Sequence, residues 1–165
     1  MTLFREIQYF RQWWLWLVLL PGPVSLWIGA YRQLLLGRPF GNNPASDKML
    51  FVLWLLVGVG VPVFFMVARL VTEVREDGIY LRFIPFHWSG LRFPWNTIRH
   101  CDARIYRPIR DYGGWGIRFG LSGKAYNVSG NRGLQLELQN GKRILIGSQR
   151  TEEFGAAVAA HLGRK

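Results

Sequence analysis

The hydrophobic positions along this chain follow two different rules. From residue 13 to residue 30 no side chain is charged, and the same holds from residue 49 to residue 68. A helix needs about 20 apolar residues to cross a bilayer core of roughly 30 Å. The second run meets that length and the first comes close to it. The rest of the chain is too small to cover two such helices on all sides, which argues against a pair of buried core helices. Residues 1–70 are therefore expected to form a two-span transmembrane hairpin. Pro21-Gly22-Pro23 predicts a kink or break in the first span, because proline removes a backbone donor and clashes with the preceding turn. Gly58 and Gly60 in the second span allow close approach of a neighbouring backbone.

Ahead of the first span, Leu3, Phe4, Ile7, Phe10 and Trp14 recur at helical spacing. This predicts a helix, lying along the bilayer surface or extending the first span. Trp13, Trp14 and Trp16 at the entry of that span, with Trp27 and Tyr31 at its exit, are expected to be interfacial anchors. Arg5 and Arg11 precede an apolar run, as in a signal peptide, but no small-residue cleavage pattern follows it. The connection over residues 31–48 is rich in glycine, proline and asparagine and reads as a loop.

After residue 68 the period changes to two. Val71 to Arg75 alternates, Asp77-Gly78 follows, and alternation resumes over residues 79–84. Residues 133–138, Asn140-Gly141 and residues 142–146 repeat the arrangement. Asp-Gly and Asn-Gly between alternating runs predict β-hairpins, since both central residues of the turn take positive φ. Further strands are expected at residues 91–93, 98–106, 114–119 and 125–129. The chain closes with a helix from Thr151 to Leu162, whose first turn carries Glu152 and Glu153 where the helix dipole favours acids. Residues 71–165 are thus expected to form a β domain with a C-terminal helix, giving an α+β membrane protein.

Charge sharpens the picture. Lys and Arg number 21 against 10 Asp and Glu, a net +11. The basic residues flanking the two sides of the spans nearly balance, so the basic domain after residue 69 decides the orientation. It is expected to stay in the cytoplasm, with both termini inside and the protein in the inner (plasma) membrane. A single cysteine excludes a disulfide framework and a cysteine-based zinc cluster.

Catalytic chemistry finds little support. The three histidines lie in different elements and lack metal-ligand spacing. His100-Cys101-Asp102 invites a nucleophile reading, but neighbours on a strand point to opposite faces. The stretch 118–125 fails as a phosphate loop, because Arg118 stands where a glycine is required and Ala125 where Ser or Thr would hold magnesium. No cofactor and no metal is expected. What remains is a basic cluster, Arg104, Arg107, Arg110, Arg118, Lys124 and Arg132, interleaved with Tyr106, Tyr112, Trp115 and Tyr126. Anionic headgroups attract juxtamembrane Lys and Arg by about 1 kcal/mol each. Nucleic acid is a less natural ligand for a chain anchored in a bilayer.

The segments Tyr106-Arg107-Pro108-Ile109-Arg110-Asp111-Tyr112-Gly113-Gly114-Trp115-Gly116-Ile117-Arg118 and Tyr126-Asn127-Val128-Ser129-Gly130-Asn131-Arg132-Gly133, with Gly41-Asn42-Asn43-Pro44 between the spans, resemble an uncharacterised subgroup of the bacterial pleckstrin-homology-like (PH-like) membrane proteins. The resemblance implies a membrane location and a seven-stranded bent barrel capped by a C-terminal helix. Eukaryotic pleckstrin-homology domains often hold phosphoinositides through basic residues of the first hairpin. Here Arg75 and Arg82 share that hairpin with Glu73, Glu76 and Asp77, a departure from the pattern. The expectation is a non-catalytic binding or scaffolding module. It would engage a protein partner or anionic lipid at the cytoplasmic face. A small membrane enzyme or a transporter accessory subunit is the alternative.

Overall fold

A computed structural model describes residues 2–87, 89–120 and 122–162. The last three positions of the expected domain 71–165 lie outside the described residues. The chain divides into two compact units, Phe10–Val67 and the combination of Met1–Tyr9 with Ala68–Lys165.

The first unit is helical. Helix α1 (Trp13–Leu19) meets α2 (Pro21–Ala30) at the break expected from Pro21-Gly22-Pro23, and α2 continues through a π-helical turn, Tyr31–Leu35. The two pieces are bent by 41°. Proline at the first position of α2 suits a helix start, where a missing N–H costs nothing. The second arm comprises α3 (Asp47–Leu53), a π-helical turn (Trp54–Gly60) and α4 (Val61–Val67). Ser46 caps it by accepting the Met49 N–H at 3.4 Å. The arms are tied by the Trp27 indole N–H, which donates to the Gly58 carbonyl at 3.1 Å. At the far end the Gln33 amide donates to the Ala45 carbonyl and the Asp47 carboxylate, at 2.7 and 2.8 Å. Among the described residues, Asp47–Val67 is long and apolar enough to cross a membrane, and the bent pair Trp13–Leu19 with Pro21–Leu35 makes a second such segment if taken as one span.

The second unit holds two open β-sheets. Strands β1 (Thr2–Tyr9), β2 (Arg69–Arg75), β3 (Gly78–Ile84) and β4 (Leu91–Pro94) form an antiparallel sheet in that order. Strands β5 (Ile98–Ile105), β6 (Gly116–Gly120), β7 (Gly123–Asn127), β8 (Arg132–Leu138) and β9 (Arg143–Gly147) form the other, in the order β5-β8-β9-β7-β6. A short helix α5 (Pro108–Tyr112) follows β5, and helix α6 (Thr151–Leu162) ends the described chain. The core lies under α6 and between the inward rows of both sheets. Leu70, Ile79, Leu81, Leu134, Leu136, Ile146 and Phe154 are fully buried there.

Two expectations are corrected. The segment before the first span is the strand β1, paired with β2, and not a helix. Its apolar residues fit a helical period, but Phe4, Glu6 and Gln8 all face inward, so polar inward positions hide the alternation. The expected seven-stranded bent barrel is also corrected: the described residues form nine strands in two open sheets and no closed barrel. The free edge of β9 is taken by β7, which runs parallel to it and so leaves β9 unable to close onto the other sheet.

Candidate functional site

The β6–β7 hairpin and the β8–β9 turn meet because β7 lies parallel to β9, with Lys124 opposite Ile144. Two adjoining cavities of about 680 and 510 Å³ open there and share Lys124, Lys142 and Ile144. Arg143 lines the first and Arg92 the second, and no carboxylate lines either. The result is a basic groove about the size of a small-ligand site.

Register explains the position of Lys124. Phe119 pairs with Lys124 across the β6–β7 hairpin, so the two side chains share a face. Tyr126, two residues on, shares it as well. The Lys124 ammonium sits 5.0 Å from the Phe119 ring centre and 4.9 Å from that of Tyr126. Cation–π attraction of this kind orients the ammonium without neutralising it. Phe119 is 76% exposed and Tyr126 only 1%. The His87 ring packs edge-on against Tyr126 at 5.8 Å. Burial, and then the Lys124 charge, push the His87 pKa below its usual value, so this imidazole adds no charge at neutral pH. Arg92 is engaged elsewhere, with Asp77 at 2.8 Å. Lys124, Lys142 and Arg143 have no ion-pair partner among the described residues. Three unneutralised cations around a cavity give the chemistry of an anion site.

Gly123 makes the groove possible. Its φ is +107°, and a Cβ there would collide with the Arg143 carbonyl oxygen. The strand can approach β9 this closely only without a side chain.

The other members of the sequence cluster do not converge on this groove. Arg104 on β5 donates to the Gln135 side chain at 3.4 Å. Arg107 and Arg110 are exposed at the cap and in the body of α5, and the Arg107 backbone N–H donates to the Asp111 carboxylate at 2.9 Å. Arg118 turns back to donate to the Trp115 carbonyl at 2.9 Å. Arg132 is exposed at the start of β8. Lys142 and Arg143 were missed. The Asn140-Gly141 turn that carries them was legible, but the parallel partner that turns them into a groove was not.

Arg75 and Arg82 of the first hairpin, with Arg5 of β1, all contact Glu73, which is only 6% exposed. The expected acidic departure is thus real, and it ties up the arginines of that sheet face. Among the helical aromatics, Trp13, Trp14, Trp27 and Tyr31 are exposed, whereas Trp16 is half-buried and donates to the Phe10 carbonyl at 3.2 Å.

The nucleophile reading of residues 100–102 dissolves on geometry. His100 and Asp102 pair at 2.7 Å on one face of β5. Cys101 points to the other face, and burial, followed by the Asp102 charge, pushes its thiol up to about 12. No group of three His, Cys, Asp or Glu side chains suited to a metal occurs among the described residues.

No curated protein and no solved structure matches this chain. A family model described as a family of unknown function (DUF6141) matches residues 1–163, so the chain belongs to that family.

Proposed function

We propose that this protein is a non-catalytic, membrane-anchored binding module that holds anionic lipid headgroups in the Lys124–Lys142–Arg143 groove at the cytoplasmic face of the inner membrane. Three cations with no ion-pair partner among the described residues, lining a cavity that no described carboxylate lines, carry the reading. Juxtamembrane cations gain from anionic lipid, and the apolar helices keep the module's local lipid concentration high. In this reading both termini lie in the cytoplasm.

The PH-like assignment is part of the proposal. Setting aside the β6–β7 hairpin leaves seven strands, four in one sheet and β5, β8 and β9 in the other, followed by α6. That layout supports the likeness. The helical unit is then an insertion between β1 and β2, and the β6–β7 hairpin an insertion that builds the groove.

The test is native mass spectrometry of the full chain in detergent, titrated with phosphatidylglycerol or phosphatidylcholine. Preferential retention of phosphatidylglycerol, lost in the Lys124→Gln, Lys142→Gln, Arg143→Gln triple variant, supports the groove. Equal retention by wild type and triple variant removes it.

A further inference from the structure

The two sheets have four outer strands, β1, β4, β5 and β6. Three are poor templates for another strand. Strand β4 has four residues and ends in Pro94, β6 has five and is bounded by glycines, and the Arg5 carbonyl of β1 accepts from Arg150. Strand β5 has eight residues and, among the described residues, pairs only with β8.

The hydrogen-bond pattern shows which backbone groups of β5 face outward. The Tyr106 N–H donates to the Asn131 carbonyl, while the Arg132 carbonyl accepts from Ser148, away from β5. Antiparallel pairs alternate between bonded and non-bonded. The bonded pairs are therefore Arg104–Gly133 and Asp102–Gln135, and the N–H and C=O groups of Cys101, Ala103 and Ile105 point outward.

The side chains of the same three residues lie on the core face, in register with Leu136, Leu134 and Arg132. Leu134 and Leu136 are buried, yet Ala103 is exposed and Ile105 is 67% exposed. Helix α6 packs against both β8 and β5. Where they meet, a trench of about 660 Å³ stays open, and its walls include Ala103, Leu134, Gly155, Val158 and Ala159. Its lining includes Arg99, which pairs with Glu137 at 3.9 Å, and His100, which pairs with Asp102 at 2.7 Å. Past the end of β5 stand Arg107 and Arg110, with neither paired to an acid among the described residues, and the apolar Ile109, 70% exposed.

We propose that β5 and this trench form a second binding site, which takes an extended acidic peptide segment of a protein partner by strand addition. An unpaired edge supplies main-chain hydrogen bonds, and a shallow trench beside it receives every second side chain. Small residues on α6 leave room for those side chains. Arg107 and Arg110 select acidic residues where the peptide runs past the end of β5. This site is separate from the headgroup groove and does not depend on it.

The experiment uses the full chain in nanodiscs of neutral phosphatidylcholine. The probe is a fluorescein-labelled synthetic peptide of about twelve alternating Glu and Val residues, long enough to span the strand. Binding is read by anisotropy. Saturable binding is expected, together with a loss of about tenfold or more in Ala103→Pro, which deletes an outward N–H and keeps the ladder to β8. Ala103→Ser is expected to bind within about twofold of wild type, because it keeps that donor. The same peptide N-methylated at every second residue is expected not to bind, which decides the matter even if Ala103→Pro lowers the melting temperature. Absence of saturable binding to wild type, or equal binding of the methylated peptide, overturns the proposal. Equal binding of a Lys–Val peptide overturns the acidic preference.

Discussion

Glu6 and Ser148 stand 142 positions apart in the chain, and the Ser148 hydroxyl donates to the Glu6 carboxylate at 2.6 Å. The other Glu6 oxygen accepts the Gln149 backbone N–H at 2.9 Å. Two residues along β1, the Gln8 amide donates to the Gly147 carbonyl at 2.8 Å. Inward-facing polar side chains of the first strand thus fasten the corner where β9 turns into α6. They join two sheets that share no backbone ladder among the described residues.

Removing Glu6 should therefore be costly. Glu6→Ala leaves a buried hydroxyl and a backbone donor without their acceptor and is expected to destabilise the unit by about 3 kcal/mol. Glu6→Gln keeps one acceptor oxygen and should cost about half as much. Heat unfolding of the full chain in detergent, followed by near-ultraviolet circular dichroism, measures both. Identical melting of Glu6→Ala and wild type would remove this corner from the stability of the fold.

Gly133 lies at the start of β8, and a Cβ there would strike the Ile146 carbonyl oxygen on the neighbouring strand. Backbone cannot yield as a flexible side chain does. Gly133→Ala should cost about 2 kcal/mol or more, as overpacking of a close approach does. Gly130→Ala is a control for positive φ alone, because no atom lies within 4 Å of its added Cβ. It is expected to lose about 1 kcal/mol. Equal melting temperatures for the two variants would contradict the assigned register.

Cys101 carries a different expectation. Its thiol is raised to about 12, so it stays protonated through the range where an ordinary cysteine near 8.5 ionises. Alkylation by iodoacetamide in the folded chain should remain slow at pH 9 and become fast once the protein is unfolded in guanidinium. Rapid alkylation of the native chain at pH 8 would show that the thiolate is accessible and stabilised.

Topology can be read directly. A reporter fused after Lys165 is expected to be active in the cytoplasm, and one inserted near Asn42 on the opposite side, as the one crossing between them, Asp47–Val67, requires. Activity of both reporters on one side would mean that Asp47–Val67 does not cross the membrane.

These contrasts also mark what the chain reveals before folding. The hairpins at residues 71–84 and 133–146 were legible because alternation and turn residues agree, and both appear as β2–β3 and β8–β9. Helix α6 was legible from its acidic first turn and apolar stripe. Strand β1 was not, since Glu6 and Gln8 face the core for a reason that lies more than a hundred residues away. The parallel contact of β7 with β9 leaves no local trace at all. That is why Lys124 was picked out without Lys142 and Arg143 beside it.

Asn127 supplies the last prediction. It is fully buried, a position that favours asparagine only if its amide is satisfied. Its Nδ2 donates to the Tyr106 hydroxyl at 3.1 Å, and its Oδ1 accepts the Gly116 N–H at 2.9 Å. One side chain thereby holds both ends of the segment 106–116, which carries Arg107 and Arg110 beside the β5 edge. Tyr106 itself packs edge-on against Tyr112 at 5.9 Å, closing the layer from inside. Asn127→Ala strips both bonds and leaves the Gly116 donor unpaired, at a cost of about 2 kcal/mol. Tyr106→Phe removes one hydroxyl and keeps the ring, so about 1 kcal/mol is expected. The distinguishing measurement is amide hydrogen exchange of the full chain. Asn127→Ala should speed exchange in residues 106–116 and leave β2 and β3 unchanged, because that sheet shares none of these bonds. A uniform acceleration across both sheets would mean that Asn127 supports the whole core and not this segment.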